Sequence, residues 1–205
     1  MYNKPIIVFE GIDCSGKSLH TKNAANYLRK KKLPFISIRE PGGNKNSEKI
    51  RKLILNKNIN FDKLTDLFLY FASRNENINK IIKKNYKKKI IIIDRFVDST
   101  MAYQHYGMKI NKEIIEKINR FILGNLKIDY TFLHILPLKS LKKKISGKKN
   151  KYDMFSKNFY KEVQAGFIKI LKKNKNKLIV DSSKTKKYNS EIIKSKIENI
   201  LNIHE

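Results

Sequence analysis

The stretch Gly11-Ile12-Asp13-Cys14-Ser15-Gly16-Lys17-Ser18 constrains this chain more than any other. It satisfies G-x-x-x-x-G-K-[ST], the pattern of a phosphate-binding loop, at every fixed position. Ile6-Ile7-Val8-Phe9 before it is apolar and β-branched, and predicts a buried strand. Lys17 to Lys31 after it predicts a helix, with apolar or small residues at Ala24, Ala25, Tyr27 and Leu28. Glycines in such a loop let successive backbone N–H groups turn inward around phosphate oxygens, and the helix N-terminus adds partial positive charge there. Lys17 is then placed for the β- and γ-phosphates, and the Ser18 hydroxyl for Mg²⁺.

The rest of the chain repeats this alternation. Strands are predicted at Ile6–Glu10, Phe35–Arg39, Lys89–Asp94, Tyr130–Leu136 and Leu178–Asp181. Helices are predicted at Lys17–Lys31, Ser47–Leu55, Lys63–Lys84, Lys112–Leu123, Lys157–Lys173 and Ser190–Ile203. Short strands rich in Ile and Val suit a sheet covered on both faces. The pattern predicts an α/β fold with a five-stranded parallel sheet flanked by helices. Its 205 residues read as a single domain spanning 1–205. Ligands of such sheets bind at the carboxyl ends of the strands. Glu10 to Ser18, Arg39 to Gly43, and Asp94 with Arg95 all fall there. Polar, lysine-rich 142–158 reads either as an exposed connection or as a lid over phosphates.

No apolar run approaches the ~20 residues a membrane span needs. Met1-Tyr2-Asn3-Lys4-Pro5 leads into a strand without a cleavage pattern, unlike a signal peptide. The lone cysteine, Cys14, excludes an intrachain disulfide and favours a cytoplasmic setting. A net charge of +28 would attract polyanions. Yet only six of the 46 basic residues are arginines; the rest are lysines, mixed with many Asn and Ile and concentrated at loops and helix ends. Lys, Asn and Ile are what AT-rich codons encode, so compositional drift accounts for the charge without a specific nucleic-acid partner. The field still helps recruit an anionic nucleotide.

Further groupings carry chemistry. Ile90-Ile91-Ile92-Ile93-Asp94 ends an apolar strand on an acid that can assist Mg²⁺. Arg95 beside it can clamp a second phosphate, or pair with Asp98 at the surface. Arg39-Glu40-Pro41-Gly42-Gly43 predicts a tight loop close to a ligand. Tyr70 and Arg74 lie four apart on one helix face, a pairing that suits a nucleobase, although Tyr70 alone also reads as core.

Phe9-Glu10-Gly11-Ile12-Asp13 running into the phosphate loop, Arg39-Glu40-Pro41-Gly42-Gly43, Phe71-Ala72-Ser73-Arg74, Asp94-Arg95-Phe96, and Ser99 through Ala102-Tyr103-Gln104 occur in one order. Together, over essentially the whole chain, they resemble the bacterial thymidylate kinase family, which transfers a phosphoryl group from ATP to dTMP. The resemblance implies the phosphate-loop nucleotide-kinase architecture with a short lid, Mg²⁺ held by Ser18 and Asp94, and a homodimer. It implies that Gly11, Ile12, Asp13, Cys14, Ser15, Gly16, Lys17 and Ser18 hold the ATP phosphates. Lys17, Arg95 and Asp13 act in catalysis, Asp13 near the deoxyribose 3′-hydroxyl or the acceptor phosphate. Arg95 grips the dTMP phosphate, with Arg39 contributing. Tyr70 stacks on thymine, Arg74 bonds the base, and Thr100 and Gln104 read its edge. Tyr103 crowds a ribose 2′-hydroxyl, and Val180-Asp181-Ser182-Ser183 packs near adenine. Other nucleoside monophosphate or deoxynucleoside kinases share this scaffold, and a basic nucleic-acid-binding NTPase is the remaining alternative.

Three departures stand out. No arginine occurs in 142–158, where lysines such as Lys144, Lys148, Lys149 and Lys151 lack arginine's planar fork. An Asp that the family often places near the end of the fourth strand is absent, and His134 there reads as structural. Cys14 takes a small-residue position in the phosphate loop.

Overall fold

The computed structural model describes residues 4–137, 140, 155–172 and 174–202. Five parallel strands form one sheet in the order β2-β3-β1-β4-β5, with β1 at Ile6–Gly11, β2 at Phe35–Arg39, β3 at Ile90–Asp94, β4 at Tyr130–Ile135 and β5 at Lys177–Asp181. The expected α/β fold is therefore observed. Most of 142–158, including the four lid lysines, lies outside the described residues.

Strand periodicity divides the core into two layers. Ile7, Phe9, Ile90, Ile92 and Phe132 face α1 (Lys17–Lys30) and α7 (Lys186–Leu201), meeting Ala24, Leu28, Ile193 and Ile197. Ile6, Val8, Ile91 and Ile93 face the other way, onto Ile78 and Ile82. Those two isoleucines lie in a π-helical turn, Ile78–Ile82, that continues α3 (Lys63–Asn77). A third apolar cluster, including Leu67, Phe71, Met101, Leu133, Tyr160 and Phe167, sits around the carboxyl ends of the strands. Register places Asp94 beside both Phe9 and Arg39, so the ligand-facing ends of three strands are level.

Helix starts are set by side-chain caps. Asn44 accepts from the N–H groups of Asn46 and Ser47, so α2 runs Lys45–Leu55 and begins before Ser47. Thr185 accepts from Tyr188 N–H, so the last helix begins at Lys186 rather than Ser190. Asn111 caps α5 (Lys112–Leu123), and Ser156 caps α6 (Lys157–Leu171). One helix was not expected: α4 (Val97–Thr100) continues as a π-helical segment, Met101–Gly107. Val, Asp, Ser and Thr have weak helix propensity. Burial of Met101, Ala102, Tyr103 and Gln104 decides the conformation instead.

Ile92 is fully buried in the central part of the sheet. Ile92→Ala is expected to lower unfolding free energy by about 3 kcal/mol, measured by urea denaturation, with far-ultraviolet circular dichroism unchanged.

Candidate functional site

Between β1 and α1 the chain turns around an empty-handed glycine backbone. Gly11 has φ 137°, and a Cβ there would strike the His134 carbonyl oxygen. Only glycine lets β1 lie this close to β4 while turning away. Gly16, at φ 86°, opens α1 with no side-chain cap, which leaves the helix N-terminus to a ligand. Ser15 is buried with its Oγ unpartnered, and its carbonyl accepts from Ser182 Oγ at 2.7 Å. Cys14 is exposed in the left-handed region, with φ 61°.

Lys17 is 5% exposed and donates from Nζ to Ile12 O at 3.1 Å. Burial pulls its ammonium down to about 8, helped by Arg95 and opposed by Asp13 and Asp94. Ser18 Oγ donates to Asp94 Oδ2 at 2.5 Å, while buried Asp94 Oδ1 has no partner. A hydroxyl beside a carboxylate with an orphaned oxygen is a hard donor pair that fits Mg²⁺, which keeps much of its shell as water and phosphate oxygens. Accordingly, the described residues contain no group of three or more His, Cys, Asp or Glu able to hold a metal by themselves.

Beside the loop opens a cavity of about 100 Å³ lined by Asp13, Pro41, Arg51, Tyr70, Arg74, Arg95, Thr100, Tyr103 and Gln104, among others. Arg95 holds a left-handed backbone, φ 69°. Its guanidinium donates to Gly11 O at 2.8 Å and Asp13 Oδ1 at 2.6 Å, and lies 5.1 Å from the Tyr103 ring centroid. The pairing with Asp13, not Asp98, settles which acid Arg95 meets. Tyr103 Oη donates to Asp13 Oδ2 at 2.8 Å. Burial alone would push the Asp13 carboxyl up; Arg95, Lys17 and Tyr103 reverse that and hold it at about 2.

Arg74 is the largest fully buried side chain of the molecule's described part. It donates to Glu40 at 2.8 Å, Asn119 Oδ1 at 2.7 Å, Phe96 O at 3.0 Å and Thr100 Oγ1 at 2.8 Å. A guanidinium has five N–H donors. Four are spoken for, which fixes its plane against the cavity and leaves one donor. Gln104 Nε2 is buried and unpartnered in the same wall.

The structure gathers nearly all the expected residues. Tyr70 is half-buried at the cavity rather than in the core. Arg39 is the exception: its side chain is 55% exposed, bonds Glu48 at 3.2 Å, and does not line the cavity. The cation found there is Arg51, which donates to Pro41 O at 2.6 Å. Sequence reasoning missed it because the loop is held between α2 and α3 by bonds no local pattern shows: Asn77 Nδ2 to Gly42 O at 2.6 Å and Ser73 Oγ accepting from Gly42 N at 3.2 Å on α3, and Glu48 accepting from Gly43 N at 2.9 Å on α2. Glu10 was also missed as a support. Fully buried, it accepts from Phe96 N at 2.8 Å, Ser99 N at 3.2 Å and Ser99 Oγ at 2.5 Å, tying the start of α4, just after Arg95, to β1. His134 is structural, as expected: 1% exposed, stacked on His20 at 5.3 Å, and pushed by burial down to about 3.

Residues 9–193 match the family model described as thymidylate kinase. The thymidylate kinase of Sulfurihydrogenibium sp. (strain YO3AOP1) is 36% identical over 176 residues, covering 85% of this chain and 86% of that one. That of Clostridium novyi (strain NT) is 37% identical over 178 residues, covering 84% and 87%. The crystal structure of thymidylate kinase from Ehrlichia chaffeensis superposes with a TM-score of 0.79 at 32% identity, covering 96% of this chain and 99% of that one.

The Arg74–Glu40 pair is 2% and 5% exposed. Arg74→Ala strands a buried carboxylate and is expected to lower stability by about 3–5 kcal/mol in urea denaturation. Adding Glu40→Gln is expected to restore part of that loss, because the orphaned group then carries no charge.

Proposed function

The chain belongs to the thymidylate kinase family, and on that premise we propose that it transfers the γ-phosphoryl group of ATP to the phosphate of dTMP, giving dTDP and ADP. The observation that carries this reading is the shared wall of the two sites: Asp13 belongs to the phosphate loop and is also bonded by Arg95 and Tyr103 of the neighbouring cavity. Donor and acceptor phosphates therefore meet at one point.

The chemistry needs positioning and charge stabilisation more than a base, since the acceptor is already a phosphate dianion. Lys17 and the α1 N-terminus hold the donor phosphates. Arg95 exchanges part of its bonding with Asp13 for the acceptor phosphate, and Arg51 supports it from α2. Asp13 and Tyr103 face the deoxyribose. Tyr70 covers the base, while the free donors of Arg74 and Gln104, with Thr100, read its edge. Ser18 and Asp94 would hold Mg²⁺, which when bound neutralises charge on the phosphates. Ser182 secures the Val180–Ser183 loop to Ser15, near the place proposed for adenine. The whole chain acts as one domain with 142–158 as its lid, and the lone cysteine supports a cytoplasmic setting.

We also propose a homodimer formed by α2, α3 and α5. Leu53, Leu64, Phe68, Ile114 and Phe121 are exposed there, Phe121 to 89%. Apolar exposure of this kind marks an interface. Phe121→Glu is expected to shift the sedimentation coefficient toward a monomer; an unchanged coefficient removes α5 from the interface.

The deciding experiment measures ADP release from Mg-ATP with dTMP, dUMP, dCMP, UMP and AMP offered singly. Preference for dTMP is expected, and no dTMP-dependent turnover would withdraw the assignment. Lys17→Ala is expected to cut turnover by about two orders of magnitude or more with the fold intact. Arg95→Ala is expected to be more damaging than Tyr103→Phe, because Arg95 meets charge.

Lys17 also gives ATP binding a signed pH dependence. The free ammonium titrates at about 8, and polyphosphate stabilises its charged form. Above that pH, binding must therefore take up a proton, so affinity is expected to weaken as pH rises from 7.5 to 9.5. Calorimetry should show this weakening in the parent and not in Lys17→Met.

A further inference from the structure

A second cavity, of about 540 Å³, lies behind Arg74 between the Val97–Gly107 helix, α5 and α6. Its size falls within the range of small-ligand sites. Asn119 lines it and connects it to the first cavity through Arg74, which lines that one. Asn119 is 8% exposed, and its Oδ1 is taken by Arg74 Nη1 at 2.7 Å. The amide NH₂ is the end left for the second cavity, and it makes no hydrogen bond to a described residue.

The lining is cationic in effect. Arg120 is exposed, and its side chain makes no ion pair or hydrogen bond among the described residues. Lys169 has its Nζ 5.8 Å from the Tyr106 ring centroid and no acid partner. The two acids do not offset them. Glu116 is held by Lys112 at 3.1 Å. Burial, reinforced by Glu10, pushes the Asp98 carboxyl up to about 7, leaving it partly protonated near neutrality. Val97, Leu123 and Ile170 supply an apolar side.

We infer that this cavity binds a small organic anion, a carboxylate or phosphate ester with an apolar body, whose charged end sits between Arg120 and Lys169 and whose occupancy is transmitted to Arg74 through Asn119. A ligand acceptor that draws on the Asn119 NH₂ polarises the amide and strengthens the Oδ1 bond to Arg74, which holds the guanidinium against the base cavity. Asn119 is thus a positioning residue. The transmission rests on Arg74 reading the base; the binding does not.

The test uses the full chain, ¹⁵N-labelled, with dTMP and a non-hydrolysable ATP analogue saturating the proposed active site. Phenyl phosphate, benzoate and inorganic phosphate are titrated separately while the Asn119 side-chain amide is followed. A saturable shift with phenyl phosphate or benzoate is expected, weakened about tenfold in Arg120→Ala, as loss of one charge-assisted contact predicts. The tighter of the two identifies the head group. No saturable shift, a shift unchanged in Arg120→Ala, or inorganic phosphate binding as tightly as phenyl phosphate would overturn the site. For the transmission, kcat/KM for dTMP is expected to change about fivefold at saturating ligand, with the ligand concentration for half the change about tenfold higher in Arg120→Ala, whose basal activity is unaltered. A constant kcat/KM alongside a saturable amide shift would overturn the relay and leave the site. Absence of dTMP turnover in the parent, with the amide shift intact, would instead locate the failure in the proposed activity.

Discussion

Everything at the site hangs on the close approach of β1 to β4 at Gly11. Because a Cβ there would strike the His134 carbonyl, the chain can leave the sheet only through a glycine. The turn then delivers residues 12–18 onto the end of α1. Beside that approach lies a buried histidine with both ring nitrogens unpartnered. An apolar side chain would avoid the polar burden, but His134 is held neutral by burial, stacked on His20 and tilted against Phe9. The loop's floor is thus made by packing, and the ligand-facing side is left to backbone N–H groups and Lys17.

Around this loop the charges are arranged to satisfy one another until substrate arrives. Arg95 is bonded to Asp13 and Gly11 O, Lys17 to Ile12 O, and Ser18 to Asp94. Buried cations without such partners would bear a desolvation penalty of several kcal/mol each. Arg74 is the opposite case. Its four bonds are all to protein groups that stay, so it acts as a fixed template. In the proposed reaction, exchangeable charge around the loop would serve the phosphates and the fixed donors of Arg74 would serve the base.

The fold was legible because periodicity and loop chemistry agreed. The five strands, the phosphate loop and the long α3 rod follow from apolar runs and glycine spacing. Asp13, Lys17, Arg74, Arg95, Thr100, Tyr103 and Gln104 stand out as candidates in the sequence because they sit in short ordered motifs, and the structure brings them to the phosphate loop and its adjoining cavity. What escaped was nonlocal. The Val97–Gly107 helix is made by burial against propensity. Arg51 reaches the cavity only because Asn77, Ser73 and Glu48 pin the Gly42-Gly43 loop between α2 and α3. Asn119, 45 positions from Arg74, carries no signal in its own neighbourhood. Arg39 erred in the other direction: it stands at the right strand end, in register with Asp94, but its side chain turns outward to Glu48.

Arginine usage itself carries information in this chain. Four of the six arginines lie at two adjoining cavities, while Arg29 and Arg39 are exposed at the surface. Lysine is a flexible point charge; arginine is a planar fork able to hold several acceptors at fixed angles. Arg51, Arg74 and Arg95 line one cavity. Arg120 lines the cavity behind it. Their concentration around adjoining spaces, in a protein with 46 basic residues, means that the large positive charge and the binding chemistry are separate properties. The first is spread over solvated positions and steers anions weakly, screened within about 10 Å at 0.1 M salt. The second depends on a few arginines, of which Arg74 and Arg95 have their planes fixed by several hydrogen bonds each.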